Sequence, residues 1–324
     1  MKPKVALLGC GRWGRNIARC LNEAGALVSV SDADEGAARA FAETFDVPAR
    51  PVGEALGSDD CNAVAIATPA VTHADVALAA LTAGKHVFVE KPMAMHVSDA
   101  ERVADTAERM GRTVMVGHLL QYHPAFLALL EHVQAGLVGR LRYVYSNRLS
   151  FGQIRTEENS LWSFAPHDIS MILALMAEEP ARVDAVGAAF LQPGLPDVTT
   201  THMTFSEGRR AHVFVSWLHP FKEQRLVVVG ADGMLEFNDS QPWSSKLKLY
   251  RHQVDWHGDM PTMQKAEAEA LQVKEGEPLK AEIQHFLDCV AGKISKPRTD
   301  AVEAIRVLRV LNAAQASLDS ALPR

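Results

Sequence analysis

The sequence predicts an α/β protein with a doubly wound parallel sheet, followed by a second α/β domain with a large, mostly antiparallel open sheet. Two observations lead to this fold class. Up to about residue 117, short apolar runs alternate with helical patterns, which is typical of parallel sheets with helices on both faces. Beyond that point, longer stretches rich in β-branched and aromatic residues follow one another, which indicates an antiparallel sheet.

Length and composition agree with a two-domain enzyme. The chain has 324 residues, and about 150 residues per domain is the usual proportion. We place the first domain at residues 1–118 and the second at 119–324, and we expect the C-terminal helices to pack back on the first domain. The net charge of -6 argues against nucleic acid as a partner. No apolar run approaches the roughly 18 residues of a membrane span, so no membrane partner is expected.

The first strand, Val5–Leu8, leads into a motif with two interpretations. Leu7–Cys10 after a basic start resembles the cleavage site of an exported lipoprotein. An export signal requires about 7–15 apolar residues, whereas a buried strand that ends at glycine requires far fewer. Only the strand itself separates Lys4 from Gly9, so we expect a cytoplasmic protein. The four cysteines show no C-x-x-C spacing, which predicts reduced thiols and no metal site.

The segment from Gly9 to Gly14 forms the pattern G-x-G-x-x-G, with a helical pattern behind it. In a Rossmann dinucleotide-binding domain, the first glycine permits a tight turn and the second lets the pyrophosphate approach the backbone. The third glycine lets the helix pack closely, and the N-terminus of that helix faces the phosphates. This context, rather than the motif alone, predicts a dinucleotide site.

Asp32 ends the predicted second strand, Leu27–Ser31, and lies 18 residues after Gly14. An acidic residue about 20 positions after the motif accepts hydrogen bonds from the hydroxyls of the adenosine ribose. A carboxylate also repels a 2′-phosphate, and Ala33 follows where an NADP enzyme more often has arginine. The sequence therefore predicts NAD as the cofactor.

The remaining elements follow from the same patterns. Further parallel strands are predicted at Ala63–Ala67, His86–Val89 and Thr113–Gly117, with helices at Thr72–Ala83 and Ser98–Met110. A bridging helix, Pro124–Gln134, leads to the strands Arg140–Leu149, Arg182–Phe190, Thr199–Phe205, Arg210–Trp217, Arg225–Val229 and Met234–Phe237. Two helices, Leu279–Ala291 and Ala301–Leu318, complete the chain.

Two strand ends in the first domain carry polar residues toward the cofactor. Ligands of parallel sheets bind beyond the carboxyl ends of the strands, where Thr68-Pro69 and Glu90-Lys91-Pro92 occur. A lysine in a partly dry site near positive charge has a lowered pKa and can share the proton of a substrate hydroxyl. We therefore predict a catalytic role for Lys91, with Glu90 as its hydrogen-bond partner. A surface Glu-Lys pair before a loop proline is the alternative.

His167 is the second candidate for acid–base chemistry. From Pro166 onward, an apolar stripe at helical spacing predicts a helix with proline in its first position. His167 would then lie in the first turn, where the helix dipole favours the neutral imidazole that a general base requires. The alternative is a capping or packing histidine.

Together these motifs resemble the Gfo/Idh/MocA oxidoreductases over essentially the whole chain. The resemblance implies a Rossmann domain and a second domain whose open sheet often forms an oligomer interface, here a homodimer or homotetramer. It also implies that Lys91 and His167 flank the substrate carbon. Many members have Asp-x-x-x-His in this segment, where this chain has Ser163. The cofactor-binding residues that we assign are Gly9, Gly11, Arg12, Trp13, Gly14, Asp32, Thr68, Pro69, His73, Glu90 and Lys91.

Two stretches, Asn159–Asp168 and Ser216–Arg225, are similar to nucleotide-sugar 3-dehydrogenases that act on UDP-N-acetylglucosamine or its uronic acid. A UDP-sugar carries two phosphate charges that require basic partners. The substrate-binding residues that we assign are Arg148, Arg155, Trp162, His167, Asp168, Lys222 and Arg225. The similarity implies an NAD-dependent oxidation of UDP-N-acetylglucosamine at C3 that feeds a transaminase in lipid A or surface-polysaccharide synthesis. Three alternatives remain: the uronic acid of the same nucleotide sugar as substrate, a free polyol or aldose dehydrogenase, and a non-catalytic NAD sensor.

Overall fold

The computed structural model describes residues 2–321, with side chains up to residue 320. Contacts divide the chain into two compact units. Of the described residues, the first unit contains 2–122 together with Glu277–Leu308, and the second contains His123–Gly276 and 309–321. The sequence predicts a domain boundary at residue 118, whereas this division falls after Tyr122. The segment Glu277–Leu308 also belongs to the first unit.

The first unit is built around a five-stranded parallel sheet in the order β2-β1-β3-β4-β5, which confirms the predicted doubly wound fold. Its strands are β1 (Val5–Leu8), β2 (Leu27–Ser31), β3 (Ala63–Ile66), β4 (His86–Val89) and β5 (Val114–Val116). Its helices are α1 (Arg12–Glu23), α2 (Glu35–Phe45), α3 (Val52–Gly57), α4 (His73–Thr82), α5 (Val97–Met110), α8 (Pro278–Val290) and the start of α9 (Ala301–Ala321).

The core of the first unit explains why the late helix α8 belongs to it. Ile283 and Phe286 of α8 are almost completely buried, in one hydrophobic cluster with Leu7, Ile17 and Phe88. The Phe286 ring lies 5.8 Å from the ring of Phe88 on β4. Burial of these apolar side chains stabilises the unit, at about 1.5–3 kcal/mol for each large side chain.

The second unit is built around an eight-stranded sheet in the order β15-β12-β11-β10-β6-β9-β8-β7. Only β6 and β9 pair in parallel, so the mostly antiparallel sheet is confirmed. Its strands are β6 (Leu141–Phe151), β7 (Arg182–Ala188), β8 (Val198–Thr204), β9 (Arg210–Ser216), β10 (Leu218–Gly230), β11 (Met234–Asn238), β12 (Leu247–Tyr250) and β15 (Glu269–Ala270). A separate hairpin contains β13 (Gln253–His257) and β14 (Met260–Gln264), and the helices are α6 (Pro124–Gln134) and α7 (Ser160–Met176).

The two faces of the large sheet differ in burial. Helix α7 packs on the face that carries Val144, Val213 and Val228, all of which are buried. On the opposite face, the half-buried Tyr145 ring stacks on the His212 ring, with 5.4 Å between the ring centroids. The sheet is therefore open on its aromatic face in this single chain.

Three features of the fold differ from the sequence-based prediction. Helices α2 and α3 were not predicted, although Asp34 caps α2 by accepting hydrogen bonds from the backbone N–H groups of Gly36 and Ala37. The strands from β12 to β15 were also missed. Helix α7 begins at Ser160 rather than at Pro166. Within the described residues, no helix has the length and apolar character that crossing a membrane requires.

Candidate active site

The glycine turn brings the end of β1 against the end of β3. Gly9 has a φ of +106°, and a Cβ at this position would lie 2.5 Å from the backbone carbonyl carbon of Ala67. A Cβ at Gly14 would lie 2.1 Å from the carbonyl oxygen of Gly9. Real Cβ atoms do not approach other atoms this closely, so both positions require glycine. At Gly11, in contrast, no atom lies within 4 Å of where a Cβ would be, so this side of the turn has room for a ligand.

Helix α1 begins beside that open space without a side-chain cap. Gly11 is its N-cap and has no side chain to accept from the first turn, and the first turn contains no acidic residue. The first N–H groups of a helix have no partner within the helix, and they carry the positive end of its dipole. These features fit the pyrophosphate of a dinucleotide, in agreement with the predicted positions of Arg12 and Trp13 at the start of α1.

Asp32 follows β2 and is tied to the glycine turn. Its Oδ2 accepts a hydrogen bond from the Cys10 N–H at 2.6 Å, and its Oδ1 accepts one from the Asp34 N–H at 2.9 Å. A carboxylate offers about four lone-pair positions, so each oxygen can accept another donor. The half-buried Asp32 therefore fits ribose hydroxyls. Cys10 between the glycines is buried, which raises the pKa of its thiol to about 12.

The side chain of His73 connects two segments that were assigned to cofactor binding. Its Nε2 lies 2.8 Å from the carbonyl oxygen of Thr68, and its Nδ1 lies 2.7 Å from that of Pro92. The ring is 2% exposed, and burial lowers its pKa. Because both ring nitrogens face carbonyl oxygens of the protein, we infer that His73 positions Thr68, Pro69 and the segment after Lys91 rather than binding a cofactor directly.

Glu90 and Lys91 directly follow the end of β4, as the sequence pattern predicts. The Glu90 carboxylate accepts a hydrogen bond from Nε1 of Trp13, and its Oε2 lies 3.3 Å from the backbone nitrogen of Lys91. A Cβ at Gly117, just after β5, would lie 3.0 Å from both carboxylate oxygens, so Gly117 lies directly against the Glu90 side chain. Burial raises the pKa of Glu90 to about 7, against the opposing effects of Trp13 and Lys91. The Lys91–Pro92 peptide bond is cis.

The predicted position of His167 in a first helical turn is wrong. Helix α7 starts at Ser160, and the Asn159 side chain caps it by accepting from the Trp162 N–H at 3.2 Å. His167 is therefore in the third turn, with Pro166 inside the helix. The dipole effect is confined to the end turns, so it does not explain a neutral imidazole here. Apolar burial along α7 compensates for the backbone hydrogen bond that Pro166 cannot donate.

Asp168 is a buried carboxylate with an elaborate set of partners. Arg148 on β6 approaches it through Nε at 2.5 Å and through a second guanidinium nitrogen at 3.2 Å. The Ser146 hydroxyl donates to the same carboxylate at 2.5 Å. The side chain of Asp168 is 1% exposed and that of Arg148 is 12% exposed. Arg148 therefore neutralises Asp168, and its assignment as a phosphate ligand is corrected.

The other predicted substrate residues do not form one cluster. Arg148 on β6 is paired with Gln224 on β10, and residues paired in this way point to the same face of the sheet. Arg225 is the next residue along β10, so its side chain points to the other face. There Arg225 contacts Glu236 at 3.2 Å. Arg155 contacts Glu158 at 3.1 Å, whereas Lys222 on β10 is exposed. Trp162 is 9% exposed, and its indole N–H donates to Gln315.

Sequence reasoning missed a second polar cluster in the first unit. His118 follows Gly117 after β5, and its Nδ1 lies 2.6 Å from Oε2 of Glu303 in α9. The Gln121 amide donates to the other Glu303 oxygen at 2.8 Å. A histidine at the carboxyl end of a parallel strand was the available signal. Glu303, which lies 185 residues away in sequence, gave none.

Comparison with known protein families finds a match for both parts of the chain. Residues 3–118 match the oxidoreductase family with an NAD-binding Rossmann fold, and residues 126–236 match the GFO/IDH/MocA C-terminal domain. The chain belongs to the Gfo/Idh/MocA oxidoreductases. NAD is the cofactor that the first unit is built to hold. The uncapped start of α1, the open space at Gly11 and the Asp32 carboxylate fit it.

Three dehydrogenases are similar in sequence to this Gfo/Idh/MocA member. UDP-N-acetylglucosamine 3-dehydrogenase from Acidithiobacillus ferrooxidans is 27% identical over 89% of this chain and 88% of its own. A solved structure of that enzyme covers 99% of both chains with a TM-score of 0.88. Inositol 2-dehydrogenase from Rhizobium meliloti is 28% identical over 76% of this chain and 79% of its own. The scyllo-inositol 2-dehydrogenase (NAD(+)) of Bacillus subtilis is 26% identical over 99% of this chain and 95% of its own.

We predict that the protein prefers NAD to NADP by more than tenfold, which corresponds to about 1.4 kcal/mol. The reason is that the Asp32 carboxylate accepts from ribose hydroxyls and repels a 2′-phosphate. Asp32→Ala should reduce this preference, whereas Glu35→Ala, which removes a nearby exposed carboxylate, should not. Titration of both cofactors by calorimetry measures the ratio. Equal affinity of the unmodified protein for NAD and NADP would contradict the role of Asp32.

We also predict that Arg148 is a structural residue. Arg148→Ala leaves the buried Asp168 without its cation and should lower the free energy of unfolding by about 3–5 kcal/mol. Arg155→Ala removes a more exposed ion pair and should cost less than about 1 kcal/mol. Urea denaturation of both variants makes the comparison. A stable Arg148→Ala protein with weakened binding of a UDP-sugar would restore the phosphate-ligand assignment.

Proposed function

We propose that this protein oxidises the C3 hydroxyl of UDP-N-acetylglucosamine to the 3-keto sugar with NAD. The observation that carries the proposal is the match to a UDP-N-acetylglucosamine 3-dehydrogenase across 99% of both chains, at a TM-score of 0.88. The first unit supplies the NAD site, and we assign substrate binding and homo-oligomer formation to the second. The two UDP-sugar-dehydrogenase-like stretches, Asn159–Asp168 and Ser216–Arg225, support this assignment.

The proposed mechanism divides the work between two side chains. When bound, NAD accepts a hydride from the substrate carbon. His167 takes the proton of the C3 hydroxyl, alone or together with Lys91, and Lys91 orients that hydroxyl. Glu90 holds the backbone nitrogen of Lys91, and His73 holds the next residue through the Pro92 carbonyl oxygen. The Arg148–Asp168 pair anchors the third turn of α7, where His167 lies.

The diphosphate requires cations other than Arg148. Lys222 is exposed, and Arg155 and Arg225 form ion pairs in which their own side chains are 33% and 38% exposed. Exposed pairs of this kind contribute little free energy and can exchange for a ligand phosphate. We therefore assign the diphosphate to one of these three side chains, with Arg155 and Lys222 preferred. Arg225 points to the open face of the sheet.

Two further substrates remain as alternatives. The uronic acid of the same nucleotide sugar requires one more cation for its carboxylate. A free polyol is favoured by the similarity to two inositol dehydrogenases and by the engagement of Arg148 with Asp168. With UDP-N-acetylglucosamine as substrate, the 3-keto product suits a following aminotransferase, as in the synthesis of 3-amino sugars for lipid A or surface polysaccharide.

The first functional prediction concerns acid–base chemistry. Lys91→Ala and His167→Ala should each lower turnover by about 10²–10⁴, the usual contribution of a positioned acid–base group. The affinity for NAD should fall much less. Matched controls are Lys293→Ala and His257→Ala, which remove exposed side chains of the same types. If either test variant keeps near-normal turnover at saturating substrate, that residue is structural.

The second functional prediction concerns the substrate. Purified protein with NAD should convert UDP-N-acetylglucosamine to a product lighter by two hydrogens, with one NADH formed for each molecule. Mass spectrometry and NADH absorbance measure the two quantities. UDP-N-acetylglucosaminuronate and myo-inositol are incubated in parallel. Oxidation of the uronate alone would replace the substrate, and oxidation of myo-inositol alone would exclude a nucleotide-sugar function.

A further inference from the structure

The buried side chain of Asp197 joins two segments of the second unit. Asp197 ends the loop between β7 and β8, residues 189–197, which we call the β7–β8 loop. Its Oδ2 accepts from the backbone N–H groups of Phe190 and Leu191 at 2.6 and 2.9 Å. Its Oδ1 accepts from the indole N–H of Trp217, directly after β9, at 2.5 Å. Asp197 and Trp217 are each 1% exposed, so a single buried carboxyl group ties the start of the loop to the end of β9.

Backbone hydrogen bonds tie the same loop to both stretches that we assign to the substrate. The N–H of Ser160, the first residue of α7, donates to the Pro196 carbonyl oxygen at 3.0 Å. The Trp217 N–H donates to the carbonyl oxygen of Asp197 at 3.3 Å. Ser160 belongs to the first of the two UDP-sugar-dehydrogenase-like stretches, and Trp217 belongs to the second. The β7–β8 loop therefore connects the two stretches, and every member of this set belongs to the second unit.

The strand register brings this loop to the same end of the large sheet as two further exposed aromatic rings. Five paired residues form one row across neighbouring strands: Ala188, Val198, Ser216, Leu149 and Glu223. Phe190, Phe151 and Phe221 each lie two residues from a member of this row, beyond the same end of the sheet. They are 72%, 75% and 59% exposed. A group of exposed apolar side chains at one end of a domain marks a binding surface.

One part of the proposed substrate fits an aromatic surface. The diphosphate is recognised by cations and the sugar hydroxyls by hydrogen bonds. The uracil base is flat, and every nucleobase has a π-face that stacks on an aromatic side chain. We assign the base to Phe190, because its own backbone N–H is bound to the buried Asp197. A ring on a fixed backbone loses less conformational freedom when a ligand binds, so it binds more tightly.

We propose that Asp197 is a positioning residue that holds the β7–β8 loop beside the two substrate stretches, so that Phe190 forms an aromatic platform for the uracil base. The inference rests on the proposed nucleotide-sugar function and names the part of the protein that recognises the nucleotide. Asp197 acts through the loop. The hydride and proton transfers stay with NAD, Lys91 and His167.

Binding of UDP alone tests the platform, because UDP carries the base without the sugar. In Phe190→Ala, loss of one stacking contact should raise the Kd for UDP by about 5- to 150-fold in calorimetric titration. Phe190→Trp keeps an aromatic ring and should bind UDP within about twofold of the unmodified protein. Phe190→Leu, which is apolar but not aromatic, should bind UDP as weakly as Phe190→Ala. Trp256→Ala removes an exposed ring from the β13–β14 hairpin and is the matched control.

Hydrogen exchange without any ligand tests the role of Asp197. In Asp197→Ala, the amide protons of Phe190 and Leu191 lose their acceptor and should exchange at least about tenfold faster. The Kd for UDP should rise as well. In Phe190→Ala/Asp197→Ala it should equal that of Phe190→Ala, because Asp197 acts through the loop. Asp184→Asn, which changes an exposed aspartate of the same unit, is the control and should leave both quantities unchanged.

If Asp197→Ala does not fold, Asp197→Asn makes the same comparison. The amide has one acceptor oxygen in place of two, so it cannot accept from both the loop and the indole of Trp217. Either the amide protons of Phe190 and Leu191 or the indole proton of Trp217 should then exchange faster. Unchanged exchange at both places would overturn the positioning role of Asp197.

Steady-state kinetics separate recognition from catalysis. In Phe190→Ala and Asp197→Ala, the KM for UDP-N-acetylglucosamine should rise by the same factor as the Kd for UDP, with kcat changed less than about threefold. The reason is that stacking of the base is equal in the substrate complex and the transition state. A lowered kcat at unchanged KM would place the effect in the catalytic geometry and overturn the proposal.

The remaining outcomes separate this inference from the proposed function. Unchanged UDP affinity in Phe190→Ala, in a protein that binds UDP and oxidises the nucleotide sugar, overturns the platform and leaves the function standing. A protein that does not bind UDP at all contradicts the proposed function, and the platform fails with it. A larger effect of Phe151→Ala or Phe221→Ala overturns the choice of ring. A lower oligomer mass of Phe190→Ala in sedimentation, at unchanged UDP affinity, would identify the ring as a subunit contact.

Discussion

The close approach of the backbone at Gly9 to the end of β3 is the constraint on which the nucleotide site depends. Three strand ends meet at this point: the Gly9 N–H donates to Ser31 at the end of β2, and the Ala67 N–H donates to Leu8 at the end of β1. A side chain at Gly9 or Gly14 would collide with backbone atoms, so the turn exists only with glycine there. Because the turn is tight, α1 begins beside the strand ends, and no side chain caps its first turn.

Two carboxylates, one in each unit, show how burial determines what a carboxylate can do. Asp168 is buried with a guanidinium and a hydroxyl as partners, and these contacts hold α7 against the sheet. Glu90 is buried with an indole N–H and a backbone N–H, and its pKa rises to about 7. The first carboxylate is therefore structural, and the second responds to its neighbours.

The two faces of the large sheet separate residues that are near one another in sequence. Arg148 reaches the helix-covered face and pairs with Asp168, whereas Arg225 reaches the aromatic face. These basic residues look like one phosphate site in the sequence. Because side chains alternate between the two faces along a β-strand, the fold places them on different faces of the sheet. The separation leaves the Arg148–Asp168 pair between α7 and the sheet, on the face away from Arg225.

The sequence alone determined the parallel sheet, the NAD-binding turn, Asp32 and the strand-end position of Glu90 and Lys91, because each depends on local spacing along β1 to β5. It also predicted the mostly antiparallel second sheet, but it missed α2, α3 and the strands after β11. Tertiary structure decided the start of α7, because the cap at Asn159 and the burial of the helix outweigh the usual preference of proline for a first turn. It also decided which charges meet: Arg148 with Asp168, and His118 with Glu303 across 185 residues. Such pairs depend on which elements pack together in space, and no local pattern of residues encodes that proximity.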